Sequence, residues 1–149
     1  MQTFQYSSLI DAPAETVWAF HERADILDIL TPPWQPVEVL RREGGLGPGA
    51  ISEFRLWLGP LPLTWLARHT DEYEPYRLFT DIQVEGPLDS WTHRHRFMPE
   101  ADKTRLIDDI TFALPAEWIS APLIASFVKQ RLHDMFAYRH QVTQRECHR

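Results

Sequence analysis

Thr104-Arg105-Leu106-Ile107-Asp108-Asp109-Ile110-Thr111-Phe112-Ala113-Leu114-Pro115 alternates, and the chain after Pro115 does not. In the first segment Leu106, Asp108, Ile110 and Phe112 fall two apart, the period of a strand with one buried face. Further on, Ile124, Val128, Leu132, Met135, Arg139 and Val142 recur at three and four, with Phe127 and Phe136 beside them. That is the period of an amphipathic helix. We expect one helix from about Ile119 to about Arg145, roughly 25 residues, well above the usual mean. Phe127, Val128, Leu132, Met135 and Phe136 should carry its contact with the rest of the protein.

Upstream, the chain reads as a run of strands: Pro36–Arg42, Ala50–Leu58, Leu63–Tyr73, Tyr76–Glu85, Asp89–Met98 and Thr104–Leu114. Turn residues separate them: Gly44-Gly45-Leu46-Gly47-Pro48-Gly49, Gly59-Pro60-Leu61-Pro62, Glu74-Pro75, Gly86-Pro87 and Pro99-Glu100-Ala101-Asp102. Connectors this short cannot make parallel crossovers, so the sheet should be an antiparallel meander. Before it, Thr3–Ile10 reads as a further strand. Asp11-Ala12-Pro13-Ala14-Glu15 reads as a helix start, with Asp11 or Ala12 at the cap and Pro13 in the first turn. Val17, Phe20, Ala24 and Leu27 continue at helical spacing to Thr31-Pro32-Pro33-Trp34, where proline ends the helical region. The fold class is α+β. A curved antiparallel sheet of six to seven strands wraps a long C-terminal helix, with one or two short helices after the first strand. The long helix is the only element large enough to cover a sheet face.

Composition narrows the function. The chain has 149 residues, 44% of them apolar and 12% aromatic, enough for one domain spanning 1–149 without structural disulfides or metal. Fifteen basic against twenty-one acidic residues leave a net charge of −6, which argues against nucleic acid or an anionic membrane surface as partner. The single cysteine, Cys147, reads as an exposed thiol at a frayed end. The N-terminal residues lack the basic and apolar regions of a signal peptide, and the longest apolar stretch, near Ile119–Val128, is too short to span a bilayer. A cytoplasmic protein with no integral membrane association is expected.

The chemistry-bearing residues gather on the expected inner faces. Trp91, His93, His95 and Phe97 share one face of their strand, opposite Thr92, Arg94 and Arg96. Leu106, Asp108 and Ile110 face the same way on the next strand, and Trp65 and His69 on an earlier one. Three histidines and a carboxylate should therefore meet in an apolar concavity. The Tyr76–Glu85 strand cannot be oriented: Phe79, Asp81 and Gln83 lie on one face, but Leu78, Thr80, Ile82 and Val84 make the other more apolar. His93, His95 and Asp108 leave three uses open: buried groups that orient a ligand, an acid/base pair, or metal ligands. No metal and no cofactor are expected. The glycine-rich loop precedes a strand rather than a helix, so it reads as a hairpin loop and not a nucleotide fingerprint. No nucleophile elbow is present. Trp34 and Trp118, in proline-flanked connectors, suit the edge of a cavity. His133 and His140 read as solvated or rim residues of the last helix.

Several segments carry a resemblance. They are Ile10-Asp11-Ala12-Pro13-Ala14-Glu15-Thr16-Val17-Trp18, Leu30-Thr31-Pro32-Pro33-Trp34, Phe79-Thr80-Asp81 with Gly86-Pro87, Trp91-Thr92-His93-Arg94-His95-Arg96-Phe97 and Met135-Phe136-Ala137-Tyr138-Arg139-His140. With the order of elements, they resemble the START-like, Bet v 1-like superfamily (SRPBCC), and within it the polyketide cyclase/dehydrase-like proteins found alone or beside a nucleotide-sugar-epimerase-like domain. The resemblance implies a helix-grip fold with a cavity between sheet and C-terminal helix. Members bind lipids, hormones or polyketides, and only some catalyse, so no catalytic residue carries over. The leading expectation is a module that binds a small hydrophobic or amphipathic molecule: a lipid, polyketide or isoprenoid. Its walls would be Phe54, Trp65, Trp91, Phe97, Leu106 and Ile110, with His69, His93, His95 and Asp108 as the polar minority. The alternatives are a cyclase or dehydratase using an interior His/Asp acid-base pair, and an accessory module with a protein partner such as an epimerase-like enzyme.

Overall fold

Seven strands form one sheet in the order β1-β7-β6-β5-β4-β3-β2, every pair antiparallel. The computed structural model describes residues 1–119 and 123–148. The strands are β1 (Gln2–Ile10), β2 (Val37–Glu43), β3 (Ile51–Leu58), β4 (Leu61–His69), β5 (Leu78–Glu85), β6 (Ser90–Glu100) and β7 (Lys103–Ala113). Helices α1 (Ala14–His21) and α2 (Ile26–Leu30) carry the chain from the β1 edge to the β2 edge. The meander then returns strand by strand until β7 pairs with β1. Register shifts mark bulges that bend the sheet: one in β2, where Leu40 is the extra residue between Val39 and Arg41, and one in β5, where Val84 is the extra residue opposite Leu66 and Ala67.

The alternation expected of the Thr104–Leu114 segment holds. Thr104, Leu106, Asp108, Ile110 and Phe112 are all buried, and their neighbours are not. In β6 the inner face is Trp91, His93, His95 and Phe97, as anticipated. The long helix is α4 (Ile124–Cys147), preceded by the one-turn helix α3 (Ala116–Ile119). It packs against β1, α1 and α2. This lean toward one side of the sheet leaves space over β3 to β6. Cores form at both ends of the helix. Trp18, Phe79, Phe97, Ile10 and Leu106 pack near its C-terminal end, and Trp91, Ile110, Phe112, Leu132 and Phe136 near its N-terminal half.

Several expectations are corrected. Pro13 occupies the cap position of α1 without any side-chain hydrogen bond, and the Asp11 backbone N–H instead donates to Gln144 Oε1 at 2.9 Å. Ala24 is exposed, because α1 stops at His21 and the chain turns before α2. Phe127 is 58% exposed and does not carry the helix contact; Leu132 and Phe136 do. Cys147 is the last residue of α4 and is buried against the core rather than frayed, and burial pushes its thiol up to about 11. The 119–128 stretch crosses 120–122, which lie outside the described residues. Among the described residues, no helix is long and apolar enough to cross a membrane.

Candidate functional site

Strand register builds the site. Across the inner face one row reads Tyr6, Asp108, His95, Phe79, from β1 through β7 and β6 to β5. The next row reads Ile110, His93, Asp81, His69, from β7 to β4. The first row sets an acid beside one imidazole and the second sets an acid between two, and cross-strand neighbours on one face lie close enough to interact. The hydrogen bonds run diagonally between the rows. His93 Nε2 lies 2.7 Å from Asp108 Oδ1, and His95 Nε2 lies 2.8 Å from Asp81 Oδ2. The two imidazoles stack at 3.5 Å between centroids, and His95 stacks on Phe79 at 3.9 Å. Phe79 in turn stacks on His69 at 5.4 Å.

This geometry orients the strand that pattern alone left open. Phe79 and Asp81 face inward, and Val84, on the more apolar face, is 43% exposed. It also corrects His140. That residue is 3% exposed, and its Nε2–H donates to Asp108 Oδ2 at 2.6 Å. Its Nδ1 accepts from the Ser8 hydroxyl at 2.6 Å, and Tyr6 packs edge-on at 4.7 Å. His133 keeps more than half of its side chain in solvent, as expected. The buried residues of α4 are thus Leu132, Phe136, His140, Val142, Thr143 and Cys147, a face rotated away from Phe127. Spacing of four from Phe136 was the available signal for His140.

The electrostatics follow from burial and pairing. Burial opposes ionisation of Asp108, but hydrogen bonds from His140 and His93 outweigh it and hold the carboxyl well below its ordinary range. Asp81 behaves likewise: burial is opposed by the His95 hydrogen bond and the nearby histidines, and the net shift is downward. Burial, then the neighbouring His93, lowers His95 to about 3, so its ring is neutral at neutral pH. With Nε2–H on Asp81, its Nδ1 is the lone-pair nitrogen, 3.4 Å from Asp108 Oδ1, and two acceptors make no hydrogen bond. Burial lowers His21 to about 4, against the hydrogen bond from Nδ1–H to the Val17 carbonyl.

Above this floor lies a cavity of about 350 Å³ between the sheet, α2 and α4. Phe54, Trp65, His69, Trp91, His93, His95, Leu106 and Asp108 line it. Phe54 stacks on Trp65 at 6.0 Å, and Trp65 meets Trp91 edge-on at 5.1 Å, which makes one wall aromatic. Phe97 and Ile110 were expected on the walls and do not line it. Trp18 and His21 of α1 cover Phe97, each at 5.1 Å, and Ile110 is sealed in the core with Trp91, Leu132 and Phe136. Trp34, 51% exposed, lies at the edge, in edge-on contact with Tyr138 at 5.4 Å. The Trp118 side chain is outside the described residues. The glycine-rich loop is a hairpin loop. Gly44 has φ +87°, and a Cβ there would lie 2.9 Å from Ala50 Cα. Leu46 of that loop reaches the cavity, and its carbonyl accepts from His69 Nδ1–H at 2.8 Å.

Sequence reading left Asp81 unoriented, put His140 at the rim and gave no site role to His21, Arg42 and Arg139, and all five line the cavity. Chemically, the floor can donate and accept hydrogen bonds and can hold a proton at several nitrogens. Asp81, His93 and His95 also place ligand atoms within 4.8 Å of one another, a nitrogen–oxygen set that zinc takes. A metal there would displace the His95 to Asp81 hydrogen bond.

Comparison with known proteins places these features. Residues 10–139 match the family model described as polyketide cyclase / dehydrase and lipid transport. No curated protein matches the chain. Among solved structures, the chain is similar to a nucleoside-diphosphate sugar epimerase from Corynebacterium glutamicum, at 28% identity and TM-score 0.75. That match covers 95% of this chain and only 28% of the epimerase. It is similar in fold to the ZhuI aromatase/cyclase from Streptomyces sp. R1128, at 19% identity and TM-score 0.75, covering 98% and 93% of the two chains. It is also similar in fold to Ara h 8.0201, at 17% identity and TM-score 0.64, covering 95% and 97%.

Proposed function

As the chain belongs to the polyketide cyclase / dehydrase and lipid transport family, we propose that it binds one small apolar or amphipathic molecule, of lipid, polyketide or isoprenoid type, in the cavity under α4. The carrying observation is the cavity itself: about 350 Å³, within the range of ligand pockets, with an aromatic wall and a polar floor built by Asp81, His93, His95 and Asp108. Apolar walls supply burial energy at about 25 cal/mol per Å², and a few polar groups fix orientation. Solvent extraction of the purified protein followed by mass spectrometry tests the reading. A co-purifying amphipathic molecule near one equivalent, displaced by added ligand and lost in Trp91→Ala, is the expected result. Protein that is empty and takes up no apolar probe overturns it.

A second reading rests on the His93–Asp108 hydrogen bond at the cavity floor. With Nε2–H held by the ionised carboxylate, His93 Nδ1 is the lone-pair nitrogen. It would take a proton from carbon next to a carbonyl, or from a hydroxyl, as general base in a cyclisation or dehydration. Asp108 would orient the ring and stabilise the imidazolium that forms. Turnover of a β-hydroxy or poly-β-keto thioester, abolished in His93→Gln with binding retained, is the outcome this reading requires.

A further inference from the structure

Arg42, Arg131 and Arg139 line the same cavity as Asp81 and Asp108, yet among the described residues none of these three guanidiniums is ion-paired with a carboxylate. Every ion-pair partner of Asp81 and Asp108 among the described residues is an imidazole. The aspartates are therefore already satisfied, and three guanidiniums face the cavity against two carboxylates. Arg139 is the most constrained of them. Its Nε is buried with no hydrogen-bond partner, and its guanidinium lies 5.2 Å over the Phe136 ring. Arg42, from β2, reaches the same neighbourhood. Its Nη2 lies 3.5 Å from the His21 carbonyl, a long and weak contact. The positive charge of Arg139 also bears on the His21 ring. Arg131 sits two helical turns before Arg139, about 12 Å toward the exposed Phe127. An unpaired guanidinium in a mostly apolar cavity is costly, and the partner that relieves it best is a planar anion able to accept two N–H bonds.

Resting on the binding function proposed above, we infer that the ligand is an amphipathic carboxylic acid. Its carboxylate lies between Arg139 and Arg42 beside His21, and its apolar body runs along Phe54, Trp65 and Trp91. The head group thus sits at the α1 end of the cavity and the body at the end where β6 begins. The stacked His93 and His95 meet the middle of the molecule, where a keto or hydroxyl oxygen would find them.

The test compares matched probes that differ only in charge: dodecanoate with methyl dodecanoate, and 2-naphthoate with methyl 2-naphthoate. Binding is read by displacement of the neutral dye N-phenyl-1-naphthylamine at pH 7.5 in low salt. Each acid should bind about tenfold or more tighter than its ester, the scale of a hydrogen bond to a charged group. In Arg139→Gln the acid should lose that advantage while the ester and the dye keep their affinity. If acid and ester displace the dye equally from the wild-type protein, the head-group inference fails and the binding function stands. An Arg139→Gln effect equal for acid and ester overturns it in the same way. If the dye itself does not bind, both fail. The wild-type comparison needs no variant, so a poorly folding Arg139→Gln protein does not blunt it.

Discussion

Asp108 accepts hydrogen bonds from His93 and His140 on its two oxygens, and both donors are buried. In Asp108→Asn one of those N–H groups would face an amide NH2 instead of an oxygen. A buried donor without an acceptor costs about 1–3 kcal/mol, so chemical denaturation should show a loss of that size. His21 governs a pH effect. Its folded value, about 4, lies below the ordinary 6.5, so between those values the unfolded chain binds a proton that the folded chain refuses. Stability should fall as pH drops from 6.5 toward 4, by up to about 3 kcal/mol from this residue. His95, lowered to about 3, extends the loss further into acid, and Asp108 and Asp81, both held below the ordinary carboxylate value, act in the same direction as pH falls below that value. Thermal melts across this range should show a flatter decline in His21→Phe than in wild type. An unchanged slope would mean the imidazole is not held neutral by the fold.

Helix α4 shows how one element serves both packing and chemistry. Leu132 and Phe136 are buried against the Trp91 end of the core, and His140, one turn on, enters the polar network. Leu132→Ala should cost roughly 2–5 kcal/mol. Phe127→Ala, at a position 58% exposed, should change stability by about 0.5 kcal/mol or less. Equal costs in paired urea titrations would contradict the observed rotation of the helix. The strands were readable because β6 and β7 alternate cleanly. Strand β5 was not, because Thr80 is 2% exposed while Asp81 faces the cavity, so polarity does not separate its two faces.

At the scale of the molecule, the meander returns β7 to β1 while α1 and α2 bridge the open edge. The helix resting over β1 holds the cavity open above the other strands. A ligand that occupies this space binds only the folded state. At a hundredfold excess over its Kd it should add about 2.7 kcal/mol, read as a concentration-dependent rise in Tm. Replacing His93 by Phe should change the order of preference among fatty acids, polyketides and isoprenoids more than it changes Tm. Unfolding with the preference order intact would assign His93 to structure alone.

Periodicity and turn residues were sufficient for an antiparallel meander covered by a long C-terminal helix, because which face of a strand or helix is apolar is a local property. The inward set Trp91, His93 and His95, with Asp108 facing them, was legible for the same reason. What a buried polar residue touches is not local. His140 looked like a rim residue because its partners lie 32 and 132 positions away, at Asp108 and Ser8. Asp81 gained its inward place from register with His93 and His69. Phe97 had the right face for the cavity and lost it to Trp18, which a separate helix lays over it. The chain's own pattern therefore decided which faces are buried. Only the packed structure decided which buried groups meet one another, because those contacts arise from elements brought together across nearly the whole length of the chain.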